Sequence, residues 1–299
     1  MKKIARLFAV AAFAAVALSC GTEPIKTVII TGQNNHNWPV SSAAIEKILG
    51  NSGLFDVYVA VSPGQGGDFS AFNVDFGAYD LVVLDYNGDS WNPDMQQAFL
   101  KYVENGGGVV VYHAADNAFS SWKEFNDIIA LGGWEGRDEK SGPYVYWLDG
   151  ALVKDYSEGP GGSHGDQHEY VLTGRTISHP VVDGLPVKWM HAKDELYDHM
   201  RGPGNIRDLL YTSYAEPELR GSGREEPLVF TVDYGKARIF HIMIGHAGPT
   251  LEDNTAMQCA GFQTLLLRGS EWAATGSVTQ AVPTDFPTAD RVSMRPEYK

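Results

Sequence analysis

Thiols are nearly absent from this 299-residue chain, whose only cysteines are Cys20 and Cys259. A framework of disulfides therefore cannot hold the fold, and a chain of this length can bury a large core without one. Long apolar runs are scarce as well. Beyond Leu18 nothing approaches the roughly 20 consecutive apolar residues of a membrane-spanning helix. Positive charge is in deficit, with 23 Lys and Arg against 37 Asp and Glu and a net charge of −14. Such a surface repels phosphate backbones, so nucleic acid is not an expected partner. The sequence has no contiguous metal signature of the His-Glu-x-x-His kind, and no internal repeat or low-complexity tract.

The chain opens on an address. Lys2, Lys3 and Arg6 form a positive start, and Leu7 to Leu18 is an apolar stretch too short to span a bilayer. It closes on Ala17-Leu18-Ser19-Cys20-Gly21. A small residue before a cysteine, with glycine after it, resembles the bacterial lipoprotein signal, although Ala17 stands where leucine is usual. Residues 1–20 are then a signal peptide, and Cys20 carries the acyl chains that tether the remainder to a membrane. The plainer alternative is a secretory signal with an incidental cysteine. The expected location is the cell envelope, on the periplasmic side or at the cell surface. No nucleotide cofactor is expected there, and Cys259 is left as the sole ordinary thiol.

Residues 21–276 read as one domain. Thr27-Val28-Ile29-Ile30-Thr31 is a strand buried on both faces, followed by a helix capped by Ser41 or Ser42 with Ala44, Ile45, Ile48 and Leu49 inward. Phe55–Val61 and Tyr79–Tyr86 are the next strands. A helix starting at Asn92-Pro93 leads through Gly106-Gly107-Gly108 to a fourth strand, Val109-Val110-Val111-Tyr112. This alternation predicts an α/β fold with a mostly parallel sheet and helices on both faces. From Gly132 to Gly204 the sequence is rich in glycine, aromatics and histidine, with short strands only at Tyr144–Leu148 and Glu169–Thr173. It reads as a long loop-rich insertion over the sheet edge. Pro227–Asp233 and Ala237–Ile244 form a hairpin around Tyr234-Gly235-Lys236, and a final helix covers Thr255 to Ala273. Residues 277–299 are an extended surface tail.

Ligands of open α/β sheets bind beyond the carboxyl ends of the strands. Three such ends deliver a histidine here: His36, in Asn34-Asn35-His36-Asn37-Trp38; His113, in His113-Ala114-Ala115-Asp116-Asn117; and His246, after Gly245. The insertion adds His164 and His168, four residues apart, and the run His191-Ala192-Lys193-Asp194-Glu195-Leu196-Tyr197. Imidazole with carboxylate suits Zn, Fe, Mn or Ni, and His113, His168 and His246 are the candidate ligands of such a divalent metal. The same groups could instead form a polar pocket for sugar hydroxyls. Asn35, His36, Trp38, Asp116, Asn117, His164, His191 and Tyr197 are the candidate carbohydrate contacts, since sugar rings pack on aromatics while their hydroxyls meet polar side chains. His179, before Pro180, and His241, inside a strand, read as structural.

Taken in order, Gly107–His113 with Ala114-Ala115-Asp116-Asn117-Ala118-Phe119, His179-Pro180 with Gly184-Leu185-Pro186, Asp194-Glu195-Leu196-Tyr197, Tyr234–Phe240 and Gly245-His246 resemble the trehalose-utilisation (ThuA-like) family. The resemblance runs from about Lys26 to Gly276. It implies a flavodoxin-like sheet of the class I glutamine amidotransferase kind, and a setting in sugar catabolism where a partner enzyme oxidises a glycoside to its 3-keto form. Amidotransferases place a nucleophilic cysteine after the strand equivalent to Val109–Tyr112. Here the turn reads His113-Ala114-Ala115, so the resemblance carries architecture and not that chemistry. A 3-keto group acidifies the C2 proton. On this reading His113 is the general base, His246 or a metal stabilises the oxyanion, and Glu195 or Asp194 orients a histidine or protonates the leaving oxygen. The rival is a lipoprotein that binds a sugar or docks to a partner without chemistry. A glycosidase is weaker still, because no carboxylate pair of judgeable separation stands out.

Overall fold

The computed structural model describes residues 23–298, so Cys20 and the expected signal peptide, residues 1–20, lie outside the described residues. β1 (Ile25–Thr31) is followed by α1 (Trp38–Asn51) and β2 (Phe55–Val61). The chain then passes back across β1 to β3 (Leu81–Leu84), α2 (Pro93–Glu104), β4 (Gly108–Tyr112) and α3 (Lys123–Ile129). Next come β5 (Tyr144–Leu148), β6 (Ala151–Asp155), β7 (Ser163–His164), β8 (His168–Gly174), β9 (Lys188–Asp194) and β10 (Tyr197–Asp198). The last strands are β11 (Ile206–Tyr214), β12 (Glu225–Val232) and β13 (Arg238–Ile242), before α4 (Thr255–Gln258) and α5 (Ala260–Thr275).

The main sheet has the order β2-β1-β3-β4-β13-β12-β11-β8-β9. Its first five strands are parallel, and from β13 onward the pairing is antiparallel. Parallel strands with helices on both faces have no solvent side, which is why their sequence is continuously apolar. Val28, Ile29, Ile30, Leu81, Val82, Val83, Val109, Val110 and Val111 expose no surface at all. At about 1.5–3 kcal/mol for each buried aliphatic side chain, this slab dominates the stability of the fold.

Four expectations need correction. α1 begins at Trp38, not at Ser41: Pro39 sits in its first turn, where a missing N–H costs nothing, and Ser42 Oγ bonds back to Trp38 O inside the helix. The insertion is not merely looped over the edge. β8 and β9 extend the sheet beyond β11, and β9 carries no clear strand signal because its buried positions, Trp189, His191, Ala192 and Asp194, are half polar and do not alternate cleanly. The last helix is two, broken at Cys259, whose backbone is extended and bridges to Met294. The tail is irregular but not free on the surface. Thr288 O accepts from Met190 N on the outer edge of β9, Ser293 O accepts from Ala260 N, and Tyr298 is buried with its hydroxyl on Leu251 O. It therefore caps an otherwise open sheet edge. Among the described residues no helix is long and apolar enough to cross a membrane.

Glu226 on β12 is buried near Asp198, and burial pushes its carboxyl up to about 7 against the hydrogen bond from Ser222 Oγ. A raised folded pKa contributes stability that is full below the ordinary value of 4.5 and lost as pH rises through about 7. Denaturant unfolding is expected to show this as a decline on the order of 2 kcal/mol between about pH 5 and about pH 8. Glu226→Gln should remove that decline, and an unaltered pH slope would refute the assignment.

Candidate functional site

Four chain segments meet at one point of the sheet's carboxyl edge. β1 runs into the loop that carries His36, β4 ends at His113, the segment after β13 carries His246, and β9 delivers Glu195. His113 has φ +42, a left-handed backbone that a β-branched or bulky residue rarely adopts, as it enters the tight turn His113–Asn117. Glu195 is the centre. Its Oε2 lies 3.4 Å from His36 Nε2, 3.7 Å from His113 Nε2 and 3.3 Å from His246 Nδ1. Its Oε1 lies 3.7 Å from His164 Nε2 and accepts from Gln167 Nε2 at 3.3 Å. The ligand atoms of His36, His113, His246 and Glu195 all fall within 4.8 Å of one another, and the His36 ring stands edge-on to both other imidazoles at 4.7 Å.

The far side of each ring decides what the near side can do. His113 Nδ1 lies 2.5 Å from Met243 O, an acceptor only, so that nitrogen carries the proton and Nε2 presents a lone pair. Asn34 Oδ1 faces His36 Nδ1 at 3.3 Å and fixes the same tautomer, while the Asn34 amide is anchored on Asp85. Burial pushes His36 down to about 4, which keeps it neutral. Burial alone would raise Glu195, but the side chains of His113, His246 and His36 gathered round its carboxylate hold it well below the usual carboxylate range. His246 Nδ1 is buried without a hydrogen-bond partner. Converging imidazole lone pairs, one of them orphaned, beside an ionised carboxylate make a donor set that fits a divalent cation such as Zn, Fe, Mn or Ni. Among the described residues this is the only group of its kind.

This geometry redistributes the sequence assignments. His36, read as a sugar contact, and Glu195, read as an acid, replace His168 in the candidate metal set. The His168 ring instead turns Nδ1 to Asp166 O and packs on Tyr170. Asp194 is no free acid. Its buried carboxylate accepts from Gly245 N at 2.6 Å, His246 N at 3.0 Å, Glu195 N at 2.7 Å and His191 Nε2 at 2.8 Å. His191 is fully buried beneath it and cannot touch a ligand. Asp116 is likewise buried against His241, and Asn117 lies in the interior where its carbonyl accepts from Arg137, so neither lines an open site. His113 is fixed at Nδ1 by Met243 O, and its Nε2, 3.1 Å from Tyr197 Oη, points into the donor set, which suits a ligand better than a base. Tyr197 and His164 do join the cluster, whereas Asn35 and Trp38 line a separate cleft together with Asn34.

His179 packs on Trp272 and His241 bonds to Ile129 O, as structural residues should. Cys259, His191 and Asp194 follow one another like a thiol triad, but all three are buried, so no substrate reaches the sulfur. Sequence reasoning missed the orienting roles of Asn34 and Gln167. Their only signal was adjacency, two residues before His36 and one before His168.

A family model described as "Trehalose utilisation" matches residues 26–273. A solved structure described as ThuA-like, from Parabacteroides merdae, is 71% identical over 93% of this chain and 99% of its own, with a TM-score of 0.92. A second, from Bacteroides uniformis, shares the fold at 17% identity, with a TM-score of 0.53 over 90% of this chain and 96% of its own. No curated protein matches the chain.

Calorimetric titration with Zn²⁺ or Mn²⁺ should show one site per chain. His36→Ala and Glu195→Gln should abolish it, and His168→Ala should leave it intact. Asp194→Asn, which touches no metal, should weaken it about 10–100-fold by releasing the backbone of Glu195 and His246. Undiminished affinity in His36→Ala would refute the site.

Proposed function

Because the chain belongs to the trehalose-utilisation family, which gives it a role in trehalose utilisation, we propose that it acts on a 3-keto-glycoside such as oxidised trehalose, by acid–base chemistry at the Glu195 cluster. The observation that carries this reading is the pairing of a cation-ready donor set with a neighbouring imidazole that is not consumed by it. His164 Nδ1 faces Gly165 O at 2.8 Å, so its proton sits there and Nε2 is left as a free base beside Glu195.

A ketone at C3 makes the C2 proton removable. His164 Nε2 takes that proton, the electron pair moves into the C3 enolate, and the C1–O bond then breaks as the pair returns. The imidazolium so formed is placed to give its proton to the departing oxygen. A divalent metal held by His36, His113, His246 and Glu195 would supply Lewis-acid stabilisation of the enolate oxygen. Tyr197, whose phenol burial holds well above its ordinary pKa, stays protonated and buttresses the His113 ring by stacking at 4.5 Å. The keto group implies a sugar-oxidising partner enzyme upstream. The basic start, apolar stretch and Cys20 support export and anchoring in the cell envelope, where Cys20→Ser should move the protein from the membrane fraction to the soluble one.

Product analysis with native and 3-keto disaccharides, with and without chelator, tests the chemistry. His164→Ala should lower kcat on the 3-keto substrate about 10²–10⁴-fold, as expected for loss of a general base, with metal affinity retained. Full turnover by that variant would remove His164 from the mechanism. Recovery of every glycoside unaltered by wild type would favour a binding protein.

A further inference from the structure

Two clefts each contain a residue bonded to the Glu195 cluster, and the sheet topology accounts for one of them. β1 lies between β2 and β3, and the chain moves outward in opposite directions from it, so the crevice beyond the carboxyl ends of β1 and β3 is the topological switch point of the parallel half. A cleft of about 520 Å³ lies there, lined by Asn34, Asn35 and Trp38 after β1, Asn87 and Asp89 after β3, and Glu135. Asn34 joins it to the cluster through His36. A second cleft, of about 310 Å³, is lined by His246 itself, with Asn37, Gln167, Lys193 and Asp253. Gln167 joins that one to Glu195.

The linings discriminate among ligands. The first cleft has amides, two carboxylates and an indole, but no lysine, arginine or histidine. A phosphate or carboxylate placed there would meet Asp89 and Glu135 with no compensating cation. Hydroxyls, which both donate and accept, suit amides and carboxylates, and the indole offers a face for the C–H side of a ring. In the second cleft the charge of Lys193 is matched by Asp253. Each cleft has room for one hexopyranose.

We infer that the two clefts are paired sugar subsites, which hold an uncharged, disaccharide-sized glycoside with its linkage over the Glu195 cluster. This rests on the carbohydrate reading above and adds where each ring of the ligand lies and which residues hold it.

Calorimetry on the full chain with trehalose, glucose and trehalose 6-phosphate tests it. Trehalose should bind at least about tenfold more tightly than either of the others. Trp38→Ala in one cleft and Lys193→Ala in the other should each weaken trehalose about tenfold, the loss of one stacking or hydrogen-bonding contact. Asn87→Ala serves as a second probe of the first cleft, since Trp38 also begins α1. Equal affinity for trehalose and glucose, or trehalose binding indifferent to the variants of either cleft, would overturn the subsites. Turnover is read separately. A chain that binds trehalose across both clefts but leaves 3-keto-trehalose intact loses the proposed chemistry and keeps the subsites. One that converts the 3-keto substrate while ignoring both clefts keeps the chemistry and loses the subsites.

Discussion

The carboxylate of Asp194 closes the molecule on itself. β9 stands at the outer edge of the antiparallel half, four places from β13 in the sheet, yet Asp194 at its end accepts hydrogen bonds from Gly245 N and His246 N just beyond β13. The sheet must therefore curl until its far edge meets its own carboxyl ends. Burying an ionised carboxylate costs several kcal/mol unless donors replace the lost water, and four do so here. The same four bonds fix the backbone of Glu195 and of His246, two members of the cluster that come from opposite halves of the sheet. Fold closure and site assembly are thus one event. This also explains why an acidic group in the middle of the site region is unavailable for acid chemistry.

Much of the fold was legible in the sequence because its physics is local. The bounds of β2 and β5 and the start of α2 follow from apolar runs and from Asn92-Pro93, where the Asn92 side chain caps Met95 N. The hairpin of β12 and β13 follows from the turn at Tyr234-Gly235-Lys236. Less legible were features decided by distant partners. α1 begins early because Pro39 tolerates the first turn, which leaves Ser41 free to donate to Asp85 in the interior instead of capping. β9 has a Lys-Trp-Met-His-Ala-Lys-Asp sequence with no clean alternation, and only its pairing with β8 makes it a strand.

The site divided along the same line. That histidines after β1, β4 and β13 share an edge follows from strand order, and all three do meet. Which imidazole completes the set does not follow. His164 and His168 occur in one run, but β7 pairs with β10 and turns His164 to Glu195, whereas β8 carries His168 away to Tyr170. Asp194 and Glu195 are adjacent and chemically alike, and one-residue parity at the end of β9 sends one into the interior and the other to the cluster. Sequence spacing cannot resolve that choice, because it depends on the curl of the sheet.

The absence of a nucleophile after β4 takes on a physical meaning in this setting. In an amidotransferase-like sheet the tight turn there exposes one reactive atom. Here the same strained position holds His113, and the ring is tied by Met243 O on one side and stacked on Tyr197 on the other. A side chain immobilised at both ends is poorly suited to attack or to shuttle protons, but well suited to hold a lone pair in a fixed direction. The left-handed backbone at His113 thus goes with a ring whose direction is fixed. His164 is the more exposed ring, on a two-residue strand beside the carboxylate that the three buried or half-buried rings surround. Three held imidazoles and one more exposed one would let the proposed chemistry keep cation binding apart from proton transfer, as removal of a proton next to a polarised carbonyl requires.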